Sequence, residues 1–121
     1  MTTVTRQELQ QYFYLNREIN FMSNEVDELK KRYKKTKPSN TPELEMLELQ
    51  KLTLSGKIKS CQALKNKIET FVNEIDDSLT RQIFYYRYIK FMTWRKVSAM
   101  VGGYLGENGA RMIAERYLKK L

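Results

Sequence analysis

Asn108 and Arg111 stand three residues apart near the start of the last apolar-periodic segment of this chain. A side-chain amide and a guanidinium are suited to paired hydrogen bonds with flat heterocyclic edges. Asn matches the donor and acceptor of adenine, and Arg matches the two acceptors of guanine. On a helix, Asn108, Arg111, Met112, Glu115, Arg116 and Lys119 fall opposite Ala110, Ile113, Ala114, Tyr117, Leu118 and Leu121. The second set must pack inward, which leaves the first set outside. Arg116, Lys119 and Lys120 come later along the helix and suit phosphate oxygens, which position a nucleic acid without reading it. Arg95 and Lys96, just upstream, are a second pair of cations for backbone phosphate. The competing reading of each cation is an ordinary solvated charge.

These residues need elements to hold them. Residues 76–121 break into three short helical patterns. Asp76, Asp77 and Ser78 supply negative charge and a cap for the first, in which Leu79, Ile83, Phe84, Tyr86 and Tyr88 or Ile89 are apolar. A break falls at Phe91-Met92. Thr93 is placed to cap a second helix from Trp94 to Met100. Trp94, Val97 and Val101 share its core face, Arg95, Lys96 and Ser98 project elsewhere, and small Ala99 allows another helix to approach. Gly102, Gly103 and Gly106 mark a turn where positive φ is needed. The last helix runs from about Glu107. Two helices joined by such a turn read as a helix-turn-helix, whose second helix fits the major groove of duplex DNA. The glycines are not a phosphate-cradling nucleotide loop, because no strand precedes them and no Lys-Ser/Thr ending follows.

Upstream, Thr5-Arg6-Gln7-Glu8 is a capping-box pattern that starts a helix. Tyr12, Leu15, Ile19, Met22, Val26, Leu29 and Tyr33 then recur at alternating spacings of 3 and 4, a coiled-coil-like seam. Phe13, Tyr14 and Phe21 lie off it and widen the apolar face. The helix closes in a basic cluster, Lys30, Lys31, Arg32, Lys34, Lys35 and Lys37, which reads either as a solvated cap or as a phosphate contact. Pro38 to Pro42 break the chain, with Thr41 as cap and Pro42 in the first turn. A second long helix follows, carrying Leu44, Leu47, Leu54, Ile58, Cys61, Leu64, Ile68, Phe71 and Ile75, interrupted by Lys51. Two long helices across a short break imply an antiparallel hairpin. A narrow two-helix seam buries little area, so pairing with a second copy is expected, with packing on the carboxyl-terminal part as the alternative.

Composition agrees with this reading. The 121 residues carry a net charge of +8, and residues 76–121 hold nine Lys and Arg against four Asp and Glu. Such a bias is the electrostatic footprint of phosphate binding. There is one cysteine and no histidine, so an internal disulfide and a Cys/His zinc site are excluded and the commonest general base is missing. Cys61 reads as packing. Asp76-Asp77 is a helix cap rather than a metal site, and nothing clusters carboxylates with a nucleophile. Neither an enzyme nor a cofactor is expected. No run of eighteen apolar residues and no signal pattern is present, so the expected location is the cytoplasm of a bacterium or infected host, with no membrane contact.

Arg87-Tyr88-Ile89, Thr93-Trp94, Val97, Gly102-Gly103, Arg111 and Arg116-Tyr117-Leu118, in that order, resemble the sigma-factor region-four-like helix-turn-helix of small phage and prophage proteins from Gram-positive bacteria. That family includes late-gene transcriptional activators. The specific likeness covers residues 76–121; that of the amino-terminal part is architectural only. It implies a core role for Trp94 and DNA contact by Arg95, Lys96, Asn108, Arg111 and Arg116. The turn is longer than that of bacterial region four, which leaves the register of the last helix, and with it the residue that faces a base, open, and the chain lacks the other sigma regions. The expected molecule is all-α: a hairpin over 1–75 followed by a helix-turn-helix domain over 76–121. Its expected job is sequence-specific binding of double-stranded DNA as a homodimer through the amino-terminal helices, in transcription regulation with RNA polymerase as a further partner. A DNA-packaging recognition subunit of the small-terminase kind and a protein-binding helical adaptor are the alternatives.

Overall fold

The computed structural model describes residues 3–36 and 41–121, with the side chains of Thr36 and Thr41 left aside. The expected break thus lies largely outside the described residues, as do Lys37 and the Thr41 cap. Every regular element described is helical: α1 (Arg6–Gln10), α2 (Tyr12–Thr36), α3 (Thr41–Asn73), α4 (Ser78–Phe84) continued by a π-helical turn (Tyr85–Ile89), α5 (Trp94–Met100) and α6 (Gly106–Lys119). No helix among the described residues is long and apolar enough to cross a membrane. By compactness the chain divides into residues 14–64 and a second unit joining 1–13 to 65–121. That division does not fall at 75/76, because the end of α3 and the amino-terminal segment share a core with the carboxyl-terminal helices.

In the second unit, the Thr5 capping box forms as the sequence predicts: its hydroxyl accepts from the Glu8 amide while the Glu8 carboxylate accepts from the Thr5 amide. The single long helix expected from Thr5 onward is instead interrupted at Gln11, whose amide bonds back to Glu8 O at 3.1 Å, a tightened turn. Leu9, Ile68, Val72, Ile75, Ile83, Phe84, Val97 and Ala110 are the fully buried centre. Phe84 is its hub: its ring lies 6.1 Å from Phe71, 5.4 Å from Tyr88 and 5.4 Å from Tyr117, tilted or edge-on to each. Truncating such a ring to Ala costs about 3–5 kcal/mol.

In the other unit, Leu15, Met22 and Leu29 of the expected α2 seam are buried, Ile19 and Val26 are half-buried, and Tyr33 is exposed. On α3 the residues 44, 47, 51, 54, 58 and 61 are half-buried, a spacing of 3 and 4 that includes Lys51 as a member rather than an interruption. Cys61 Sγ donates to Glu18 Oε1 at 3.2 Å. Nearer the far end, Glu25, Glu28, Leu29 and Arg32 of α2 and Leu49, Gln50, Thr53 and Leu54 of α3 line an open cavity of about 680 Å³. As residue numbers rise along α2, those opposite on α3 fall.

Candidate nucleic-acid interface

The site is built on α5, the turn after it, and α6. Asp77 caps α4, its carboxylate accepting from the Thr80 amide at 3.0 Å and hydroxyl at 2.8 Å. The helix then widens. The Lys90 amide reaches Tyr85 O at 3.0 Å, an i to i+5 bond, and the Met92 amide reaches Tyr86 O at 3.0 Å. Phe91 ends it with φ 57, a left-handed conformation usually left to Gly or Asn. Its ring lies flat on Phe13, centroids 4.1 Å apart at 9°, so Phe13 packs off the seam on this turn.

Thr93 caps α5, its hydroxyl accepting from the Lys96 amide at 3.3 Å. Arg87 ties this junction together, donating to Met92 O at 2.9 Å while its guanidinium lies 4.6 Å over the Trp94 ring. Arg81 does similar work upstream, donating to Ile75 O at 2.6 Å. Two of the basic residues of 76–121 therefore hold the fold rather than a ligand. Val97 is fully buried as expected. Ser98 is a correction: it is 5% exposed instead of projecting outward. It lies one residue from Val97 on the inward arc, and its carbonyl accepts from Gly103 N at 2.7 Å. Ala99 is the other correction. It is exposed, in the middle of the outer face with Arg95 and Lys96 beside it, so it makes no room for a packed helix.

The turn occupies residues 101–105. Gly102 and Gly103 have φ of 120 and 79, and α6 opens on Gly106 at φ 70, one residue before the predicted start. No side chain caps α6. α5 and α4 both pack on α6. Ala110 and Ala114 are buried, and Ile113, Tyr117 and Leu118 half-buried, as the periodicity requires. Leu121 departs from it: it lies beyond the helix end and is exposed.

The six predicted α6 residues separate into three groups. Asn108 and Arg111 are exposed and joined to each other, Arg111 Nη2 donating to Asn108 Oδ1 at 3.0 Å. Met112, Arg116 and Lys119 are exposed on the same side. Glu115 is half-buried and ion-paired to Arg6 of α1. Arg6 was not among the predicted residues; 109 positions separate the pair, and no local pattern links them. Its effect is electrostatic: the one carboxylate in the middle of this face is neutralised by the amino-terminal segment. Arg95 and Lys96 are exposed on a different helix, α5.

Elsewhere a thiol and a phenol are shifted by their surroundings. Burial and the Glu18 carboxylate push the Cys61 thiol up, so it stays protonated and weakly nucleophilic. Burial pushes the Tyr88 phenol up. No protein-family model, no curated protein and no solved structure matches the chain.

Proposed function

We propose that this protein binds double-stranded DNA in a sequence-specific manner and regulates transcription, in the manner of the small phage and prophage proteins whose sigma region-four-like helix-turn-helix it resembles. The observation that carries the reading is the outer face of α6. It presents Asn108, Arg111, Met112, Arg116 and Lys119 to solvent, and its central carboxylate, Glu115, is paired with Arg6. A cationic, amide-bearing helix face at the end of a two-helix unit suits a major groove.

In this account α5, the 101–105 turn and α6 are the helix-turn-helix. Asn108 and Arg111 read base edges; Arg116 and Lys119, with Arg95 and Lys96 of α5, hold phosphates. Met112 packs on apolar base surface such as a thymine methyl. α2 and α3 form an antiparallel hairpin that pairs two copies, and a dimer matches a two-fold repeated site. RNA polymerase is a further partner. The test is selection of random duplex fragments on the immobilised full chain, with sequencing of those retained as salt rises. An enriched motif supports the reading, and two-fold symmetry in it supports the dimer. No retention even at low salt rejects it.

A further inference from the structure

The long helix α3 carries a second stripe away from its half-buried one, bordered at Leu49 by the open cavity that α3 shares with α2. Glu45, Leu49, Leu52, Gly56, Lys59 and Ala63 follow at spacings of 4, 3, 4, 3 and 4, and all six are exposed. Leu49 is 63% exposed and Leu52 71%. Two large aliphatic side chains one helical turn apart on an outer face are costly to leave in water. Gly56 adds a separate oddity. It sits inside a helix, where Gly lowers stability relative to Ala. Yet an added Cβ there would meet nothing within 4 Å, so the packing of this chain gives no reason for it.

The stripe is complementary to itself when reversed. Its first half is bulky and acidic, with Leu49 and Leu52 flanked by Glu45 and Glu48. Its second half is small and basic, with Gly56, Ser60 and Ala63 around Lys59. Ser60 turns its hydroxyl back to Gly56 O at 3.2 Å, which keeps that half flat.

We infer that α3 pairs antiparallel with α3 of a second copy through this stripe, about a two-fold axis level with position 54 on the outer face. In that register Leu52 of each copy lies over Gly56 of the other, and Lys59 of each lies opposite Leu49 of the other, within one turn of Glu45 and Glu48. Large against small lets the helices approach closely, and opposite charges fix the antiparallel sense. An isologous interface needs this self-complementarity. The inference rests on the dimer reading above and gives it a surface; it does not depend on DNA.

The test is a charge-swapped pair of full-length chains studied by sedimentation without DNA. One chain carries Glu45→Lys and Glu48→Lys, the other Lys59→Glu. All three positions are exposed, and circular dichroism checks that helicity is kept. Wild type is expected to dimerise. Each variant alone sets like charges against each other in both halves of the interface and self-associates roughly tenfold more weakly. Their mixture restores a one-to-one dimer, because every Glu again meets a Lys. A separate Leu52→Lys chain is monomeric and stays so when mixed with either. A monomeric wild type, or variants that dimerise as wild type does, overturns the inference. DNA binding measured on the same samples reports separately on the proposed function.

Discussion

Arg111 and Asn108 are hydrogen-bonded to each other across one turn of α6, at 3.0 Å. The two side chains best equipped to read a base thus hold one another on the exposed face, and a base edge must replace that bond. Exposed bonds of this kind are worth little, so the exchange is cheap. Replacing Arg111 by Ala is expected to weaken binding to a selected site by about 1–3 kcal/mol and to relax preference at one base pair. Competition with single-base variants of the site measures this. Equal loss on every sequence would show that Arg111 only holds phosphate.

Lys119 gives the contrasting case. A phosphate contact has no sequence content, so Lys119→Ala should weaken all duplexes alike and lower the slope of log K against log salt by about 1. A change in base preference would place Lys119 at a base edge instead.

Arg6 reaches the same face from the other end of the chain. Its ion pair with Glu115 is partly exposed, so Arg6→Ala should cost at most about 1 kcal/mol of stability. The unmasked carboxylate should nevertheless repel phosphate and weaken binding at low salt. Combining Arg6→Ala with Glu115→Gln should restore it. Failure of the double variant to recover would mean that Arg6 touches DNA itself.

Much of this was legible in the sequence. Capping at Thr5, Asp77 and Thr93 depends on bonds within three residues, and all three caps form. The inward stripe of α6 follows from its period alone. The π-helical turn at 85–89 was not legible, since the helix ends directly after it and too few residues follow for its shift of phase to register in the apolar pattern. Nor was the placement of Ser98, which is settled by the tertiary fit of a seven-residue helix. The Arg6–Glu115 and Phe13–Phe91 pairs join distant segments, which periodicity does not register.

Phe91 offers a test of local strain. Its left-handed backbone costs about 1–2 kcal/mol for a non-glycine residue, and its stack on Phe13 returns about 0.5–1.5 kcal/mol beyond burial. Phe91→Ala keeps the strain and loses the stack, so it should destabilise by about 1–2 kcal/mol. Phe91→Gly loses both and should lie within about 1 kcal/mol of wild type. Thermal unfolding distinguishes them; equal losses would deny the strain.

Two carboxylates contribute to the acid response. The Thr5 amide, with the Lys67 ammonium, holds Glu8 below the ordinary carboxylate range, and the Thr80 amide and hydroxyl do the same for Asp77. A pKa lower in the folded state gives stability that is full above the unfolded pKa and is lost as pH falls through the folded one. The fold should therefore weaken below about pH 4. The gap in melting temperature between wild type and Glu8→Gln or Asp77→Asn should close as pH falls. A gap independent of pH would show that ionisation of these groups plays no part.

The central claim is that the α6 face reads duplex sequence. Its most direct test is fluorescence anisotropy over a salt series, on the selected duplex and a scrambled one, with wild type and an Asn108→Ala, Arg111→Ala double variant. Wild type should favour the selected duplex by roughly 10³ or more and lose affinity steeply with salt. The double variant should keep the salt dependence and lose most of the preference. Retention of the full preference by a folded double variant, or binding of both duplexes that ignores salt, would contradict the account.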